Sequence, residues 1–149
     1  MSKETIQLQT NEGVESLDID ITFDNKDPNK ALLMTIKAHY QGKQITAFGN
    51  RYPFEDAFAD LQKKLPENVI LSSCMTCRHG NMCPSGDESN RVFCTKDVTI
   101  RSIRDLHFYT EDVQEHAKRS RRFTDYCADY QQQAREHFTY NDYLHYLNQ

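Results

Sequence analysis

Four of the five cysteines fall in one short window, Cys74, Cys77, Cys83 and Cys94, spaced Cys-x2-Cys-x5-Cys-x10-Cys. A Cys-x2-Cys pair lets two thiolates of one turn point at a common centre, and a returning loop can bring further sulfurs to complete a tetrahedron of soft donors. Zinc satisfies that geometry without redox chemistry. The intervening residues, among them Arg78, Asn81, Ser85, Asp87, Glu88, Ser89, Asn90 and Arg91, supply almost nothing to bury, so a bound ion is the economical source of order. Gly80 and Gly86 permit backbone conformations that other residues resist, and Pro84 limits freedom after Cys83. The expected centre is therefore a structural zinc knuckle with Cys74, Cys77, Cys83 and Cys94 as ligands. An iron–sulfur cluster, a disulfide or redox pair and unbound thiols are the alternatives.

His79 could substitute for one cysteine, most naturally Cys83, because it stands too near Cys77 for both to ligate without strain. Four thiolates around zinc carry a charge of about −2, which Arg78, Arg91 and Lys96 could offset. The fifth cysteine, Cys127, is far from the cluster and reads as a small apolar packing residue. His107, His116, His137 and His145 show no paired metal spacing. No nucleophile elbow, phosphate loop or dinucleotide fingerprint is present. Lys118, Arg119, Arg121 and Arg122 form a basic run that could contact phosphates, but acidic residues flank it, so intrahelical pairing on a solvated helix is a sufficient explanation and the favoured one.

The elements that must hold this centre are legible in the hydrophobic pattern. From Val14 to Asp24 the apolar residues Leu17, Ile19, Ile21 and Phe23 alternate with polar ones, the period of a strand with one wet face. After a turn at Asn25–Lys30, the run Ala31–Tyr40 repeats the alternation, and Gln41-Gly42-Lys43 turns the chain into Gln44–Phe48. An earlier strand at Thr5–Gln9 joins through Asn11-Glu12-Gly13. Pro53 suits a first helical turn, Phe54, Phe58, Leu61 and Leu65 recur at helical spacing, and Pro66 marks the stop. Val69-Ile70-Leu71 reads as a short buried strand running into Cys74.

In the last third, Thr110 could cap a helix running to about Glu136, with Phe123, Cys127, Tyr130 and Ala134 as its apolar stripe. A final segment from Thr139 to Leu147 has capping-box spacing and a tyrosine-rich face able to dock or self-associate. The expected fold is thus α+β: an antiparallel meander covered by a helix, a cysteine-rich metal knuckle and a helical C-terminal region. It forms one domain, with sheet and helix in 1–73, the knuckle in 74–97 and the extension in 105–149.

Leu65-Pro66, the apolar run before Cys74, the Cys-x2-Cys pair, the glycine-containing polar loop and Val92-Phe93-Cys94 together resemble a family of uncharacterised bacterial proteins. The resemblance spans roughly Tyr52 to Asp97 and implies a domain without a named activity. It matches at Cys74, Cys77 and Cys94 better than at Cys83. A three-cysteine site of that kind would complete its shell with His79, a carboxylate or water.

With 149 residues, 38% apolar residues and 27% charged ones, the chain bounds a modest core for which a metal clip is useful. A net charge of −4 gives no overall field for nucleic acid or anionic membrane. The amino terminus lacks a secretory pattern and no stretch is long enough to span a bilayer, so the expectation is a cytoplasmic protein with reduced thiols. The leading reading is a zinc-stabilised binding or adaptor module without catalysis, acting on a protein partner or through self-association of its C-terminal helices. A metal-dependent or iron–sulfur redox enzyme and a nucleic-acid module are its rivals.

Overall fold

The computed structural model describes residues 2–24, 32–50, 52–85 and 90–149. The turn expected at Asn25–Lys30 and the loop residues Gly86, Asp87, Glu88 and Ser89 lie outside the described residues. The protein is α+β, and no helix among the described residues is long and apolar enough to cross a membrane. Two compact units form, Met1–Ser72 with Asp142–Gln149 and Ser73–Asn141.

In the first unit β1 (Ser2–Thr10), β2 (Gly13–Asp24), β3 (Leu33–Tyr40) and β4 (Lys43–Gly49) make the antiparallel meander, and β5 (Ile70–Leu71) adds to β1, giving the order β4-β3-β2-β1-β5. Period-two alternation sets the register: Ile6 faces Leu17, Ile21 faces Ile36 and Ile36 faces Ala47, all on one buried face. The β3–β4 hairpin turns on Gln41 and Gly42, both at positive φ (51° and 79°), the mirror-image turn that matches strand twist. Strand β1 is longer than its weak alternation indicates, because pairing with β2 along its whole length carries its polar start.

Helix α1 (Pro53–Lys64) buries Phe54, Ala57, Phe58 and Leu61, and does a second job with its polar stripe. Asp56, Asp60 and Lys64 recur every four residues and reach backbone groups at and just beyond edge strand β4. Asn50 N–H donates to Asp56 (3.0 Å), Phe48 N–H to Asp60 (2.9 Å), and Lys64 Nζ donates to the Thr46 carbonyl (2.8 Å). Side chains thereby occupy edge groups that would otherwise template pairing with another chain. Gln62 spans the other side, accepting from Leu71 N–H (2.7 Å) and donating to the Val69 carbonyl (2.8 Å), which fixes β5.

Helix α4 (Tyr143–Leu147) is all that forms of the expected terminal helix, and it packs Tyr143 and Tyr146 against α1. Of the face expected to dock or self-associate, Tyr143 is buried within this unit, while Leu144 and Leu147 remain part-exposed. The Asp142 N–H donates to the carboxylate of Glu55, which is 5% exposed. Burial pushes Glu55 up to about 7, opposed by that hydrogen bond. Because the folded state then holds a proton that the unfolded state releases near pH 4.5, stability falls as pH rises from about 4.5 through about 7. Glu55→Gln keeps an acceptor for Asp142 and removes the titration. Urea unfolding at pH 5 and pH 8 is expected to show the variant gaining on the parent at pH 8 by up to about 3 kcal/mol.

The second unit contains a 3₁₀ turn (Cys74–Thr76), the three-stranded sheet β6 (Gly80–Asn81), β7 (Arg91–Cys94) and β8 (Ser120–Arg122), and helices α2 (Ile103–Glu111) and α3 (Val113–Arg119). The single helix expected from Glu111 to Glu136 is not formed. Ser102 caps α2 through Asp105 N–H (3.4 Å), and Asp112 ends α2 with extended backbone while its carboxylate accepts from Glu115 N–H (3.0 Å) to start α3. Ser120–Arg122 then pairs with β7, a long-range ladder that outcompetes local helix propensity. Met75, Val92, Phe93 and Leu106 are fully buried and form the core of this unit.

Candidate functional site

The 3₁₀ turn that carries Cys74 is closed by Thr76, whose Oγ1 accepts from Ser73 N–H (3.3 Å) and whose N–H donates to the Ser73 carbonyl (3.1 Å), with Cys77 N–H returning to the Cys74 carbonyl (3.3 Å). Gly80 is required here for space rather than for dihedral freedom. A Cβ at that position would lie 1.8 Å from the Cys74 carbonyl oxygen, so only glycine lets β6 pass this close to the turn. Gly80 pairs with Cys94 across the β6–β7 ladder, which brings the third cysteine alongside the first two. Asn81, fully buried, ties the corner: its Nδ2 donates to Thr95 Oγ1 (3.0 Å) and its Oδ1 accepts from Tyr140 N–H (2.8 Å).

The chain after β8 returns to the same turn without regular secondary structure. Cys74 N–H donates to the Asp125 carbonyl (2.7 Å), Met75 N–H to the Phe123 carbonyl (3.3 Å) and Arg78 N–H to the Gln131 carbonyl (2.7 Å), while Cys77 bridges to Gln132. Tyr130 reinforces the tie, its hydroxyl 3.1 Å from Thr76 Oγ1. These contacts place Cys127 opposite the Cys-x2-Cys turn.

Cys74, Cys77, Cys94 and Cys127 consequently line one cavity of about 20 Å³, together with His79, Gly80, Val92, Lys96, Arg121 and Asp129. A volume of roughly 10–15 Å³ suffices for one water-sized body, so the space is that of a single small ion. All five cysteines are thiols. Among the described residues no three cysteine, histidine or acidic side chains are drawn together into a finished ligand shell. The metal knuckle expected at Cys74, Cys77, Cys83 and Cys94 is not formed among the described residues; Cys74, Cys77 and Cys94 line a cavity with Cys127, and Cys83 is not part of that lining.

Burial pushes the Cys74 thiol up to about 12, with Cys77, Asp125, Cys127 and Cys94 adding to the shift, and burial raises Cys77 as well. Several thiolates cannot share this space without a compensating cation.

Cys83 does not line the cavity; its sulfur lies 3.0 Å from Ser85 Oγ. His79 does, and its ring meets that of His137 edge-on at 5.5 Å. Of the three cations assigned to charge compensation, only Lys96 lines the cavity, paired to Asp129 at 2.9 Å. Arg78 is turned to Gln131 and Gln132, and Arg91 sits across from Arg122 in the β7–β8 ladder. Arg121, from the basic run, is the second cation at the lining. Its neighbour Arg119 is 3% exposed, held by Asp97 (2.5 Å), Glu115 (2.8 Å) and the Cys94 carbonyl (3.0 Å). The guanidinium in turn holds Asp97 down to about 2.

Comparison of the chain with protein-family models, with characterised proteins and with solved structures returned no match. The basis for a function is therefore the site itself.

Proposed function

We propose that the protein is a zinc-stabilised binding module without catalytic chemistry, whose second unit is organised around one ion ligated by Cys74, Cys77, Cys94 and Cys127. The observation that carries this reading is the convergence of four thiols, from three separate stretches of chain, on one ion-sized cavity. Four sulfurs are the donor set of a structural zinc site. The cavity is far smaller than the roughly 300–1,000 Å³ of a substrate pocket, which favours a closed structural centre over a catalytic one with an open position. Lys96 and Arg121 at the rim would offset the negative charge of the thiolate shell.

Elemental analysis and an absorption spectrum of the full chain, purified anaerobically without added metal, test the reading. About one zinc per chain and no visible absorbance are expected. Iron with visible absorbance would move the centre to iron–sulfur chemistry, and protein free of metal under these conditions would overturn the assignment. The basic run gives little support to nucleic-acid binding, since Arg119 is spent inside the unit and Lys118 faces Asp97 (3.3 Å).

A further inference from the structure

We propose that helix α2 is a dimerisation surface, on which a second copy of this chain packs antiparallel with Phe108 at the centre and Arg104 of each copy paired to Glu111 of the other. The proposal is independent of the zinc reading. Of the large apolar side chains exposed among the described residues, three fall between Ile103 and Val113: Ile103 is 41% exposed, Phe108 65% and Val113 83%. Leu106 and Thr110 turn one face of α2 into the unit, and at 3.6 residues per turn Arg104, Phe108 and Glu111 occupy the opposite face, all exposed. Phe108 is held ready for contact. Its ring meets that of Tyr109 edge-on at 5.0 Å, and the Tyr109 ring lies 4.6 Å from the buried guanidinium of Arg119. An aromatic anchor fixed before contact loses little freedom on binding.

The charges on this face point to the occupant. Arg104 stands in the first turn of α2 and Glu111 in the last, each at the helix end where the macrodipole disfavours its sign. Arg104 is in no ion pair among the described residues, and the Glu111 carboxylate meets His107 Nδ1 through one oxygen (3.1 Å). The two charges are seven residues apart, roughly 10 Å along the axis at 1.5 Å per residue. A two-fold axis passing between His107 and Phe108 therefore sets Arg104 of each copy against Glu111 of the other and forms both pairs at once. It also brings to each helix end a charge of the sign that its dipole favours, and places the two Phe108 rings side by side. A face with opposite signs at its two ends is complementary to itself, which is the condition for an isologous contact. With only α2 and its flanks touching, the interface is smaller than about 1,200 Å², the class of weak and transient complexes.

Sedimentation equilibrium of the full chain, with reductant present so that the thiols do not cross-link, tests the surface. A reversible dimer with a Kd on the order of 100 µM is expected, weakened by salt at about 1 M. Phe108→Asp should bind itself at least about tenfold more weakly. Arg104→Glu and Glu111→Arg should each lose about tenfold when alone, because like charges then face each other twice. Mixed together they should associate with about the parent's affinity, since the mixed pair restores both attractions. Recovery on mixing also shows that both variants are folded, so that loss of association in either alone is not loss of structure. A parent still monomeric at about 1 mM, a Phe108→Asp chain that dimerises as the parent does, or reversed variants that fail to associate when mixed would each overturn the proposal.

Discussion

On the proposed zinc reading, replacing Cys127 by serine is expected to abolish zinc binding and cooperative folding of the second unit, while replacing Cys83 by serine leaves both intact. The contrast separates two ligand sets that are hard to tell apart on the page of a sequence. Cys127 lines the cavity with Cys74, Cys77 and Cys94, whereas Cys83 is engaged with Ser85 outside it. In small zinc domains the ion contributes about 10–16 kcal/mol at neutral pH, comparable to or larger than the whole stability of a domain. Among the described residues the fully buried apolar side chains of the second unit are Met75, Val92, Phe93 and Leu106, so it has little apolar burial with which to replace such a term.

Metal content after dialysis against a chelator, with circular dichroism through a urea titration, reads both effects. Cys83→Ser should stay within about 0.5 kcal/mol of the parent, as surface changes do. If Cys83→Ser lost the metal and Cys127→Ser kept it, the ligand set read from spacing alone would be the right one.

Three of the four cysteines read from the spacing, Cys74, Cys77 and Cys94, line the cavity because a local turn and one β-ladder bring them together, both short-range features. Cys127 stands 33 residues beyond Cys94 and is brought to the turn by long-range bonds between Phe123–Gln132 and Cys74–Arg78. No local pattern encodes those bonds. A signal did exist: Cys127 lies in Asp125-Tyr-Cys-Ala-Asp129, a polar stretch that offers a packing cysteine few apolar neighbours. The spacing of Phe123, Cys127, Tyr130 and Ala134 imitates a helical stripe, yet each residue is held for another purpose, Tyr130 by Thr76 and Cys127 by the cavity.

The sheet was legible almost residue by residue, because one face is buried and the other wet, and a slip of one residue would invert every side chain. The α1 helix followed equally from Pro53, the four-residue apolar recurrence and Pro66. What the pattern could not disclose was the polar stripe of α1. Asp56, Asp60 and Lys64 look like an ordinary solvated face, and only the tertiary arrangement reveals that they occupy backbone groups around strand β4. Gly80 likewise reads as a flexible loop residue, although its role is to make room for the Cys74 carbonyl.

Arg119 is where the second large effect is expected, and for a reason opposite to the one its neighbours advertise. A run of four cations within five residues invites a phosphate-binding reading, but Arg119 is almost wholly buried, forked onto Asp97, bonded to Glu115 and to the carbonyl of Cys94, with its plane over the Tyr109 ring at 4.6 Å. It joins the end of α3 to the strand that delivers a cavity cysteine. Removing one partner of a buried ion pair costs about 3–5 kcal/mol, reduced here to roughly 2–4 because Asp97 and Glu115 are part-exposed and can return to water. Arg119→Met should therefore destabilise the protein by that amount in urea unfolding and weaken zinc retention, since the Cys94 carbonyl loses its anchor. Arg119→Lys should recover only a fraction, because an ammonium cannot reproduce the fork. Lys118→Ala, at an exposed position beside the same Asp97, should change stability by no more than about 0.5 kcal/mol. Equal effects at Lys118 and Arg119 would restore the picture of a solvated basic face, and would detach the basic run from the thiol cavity it is argued to support.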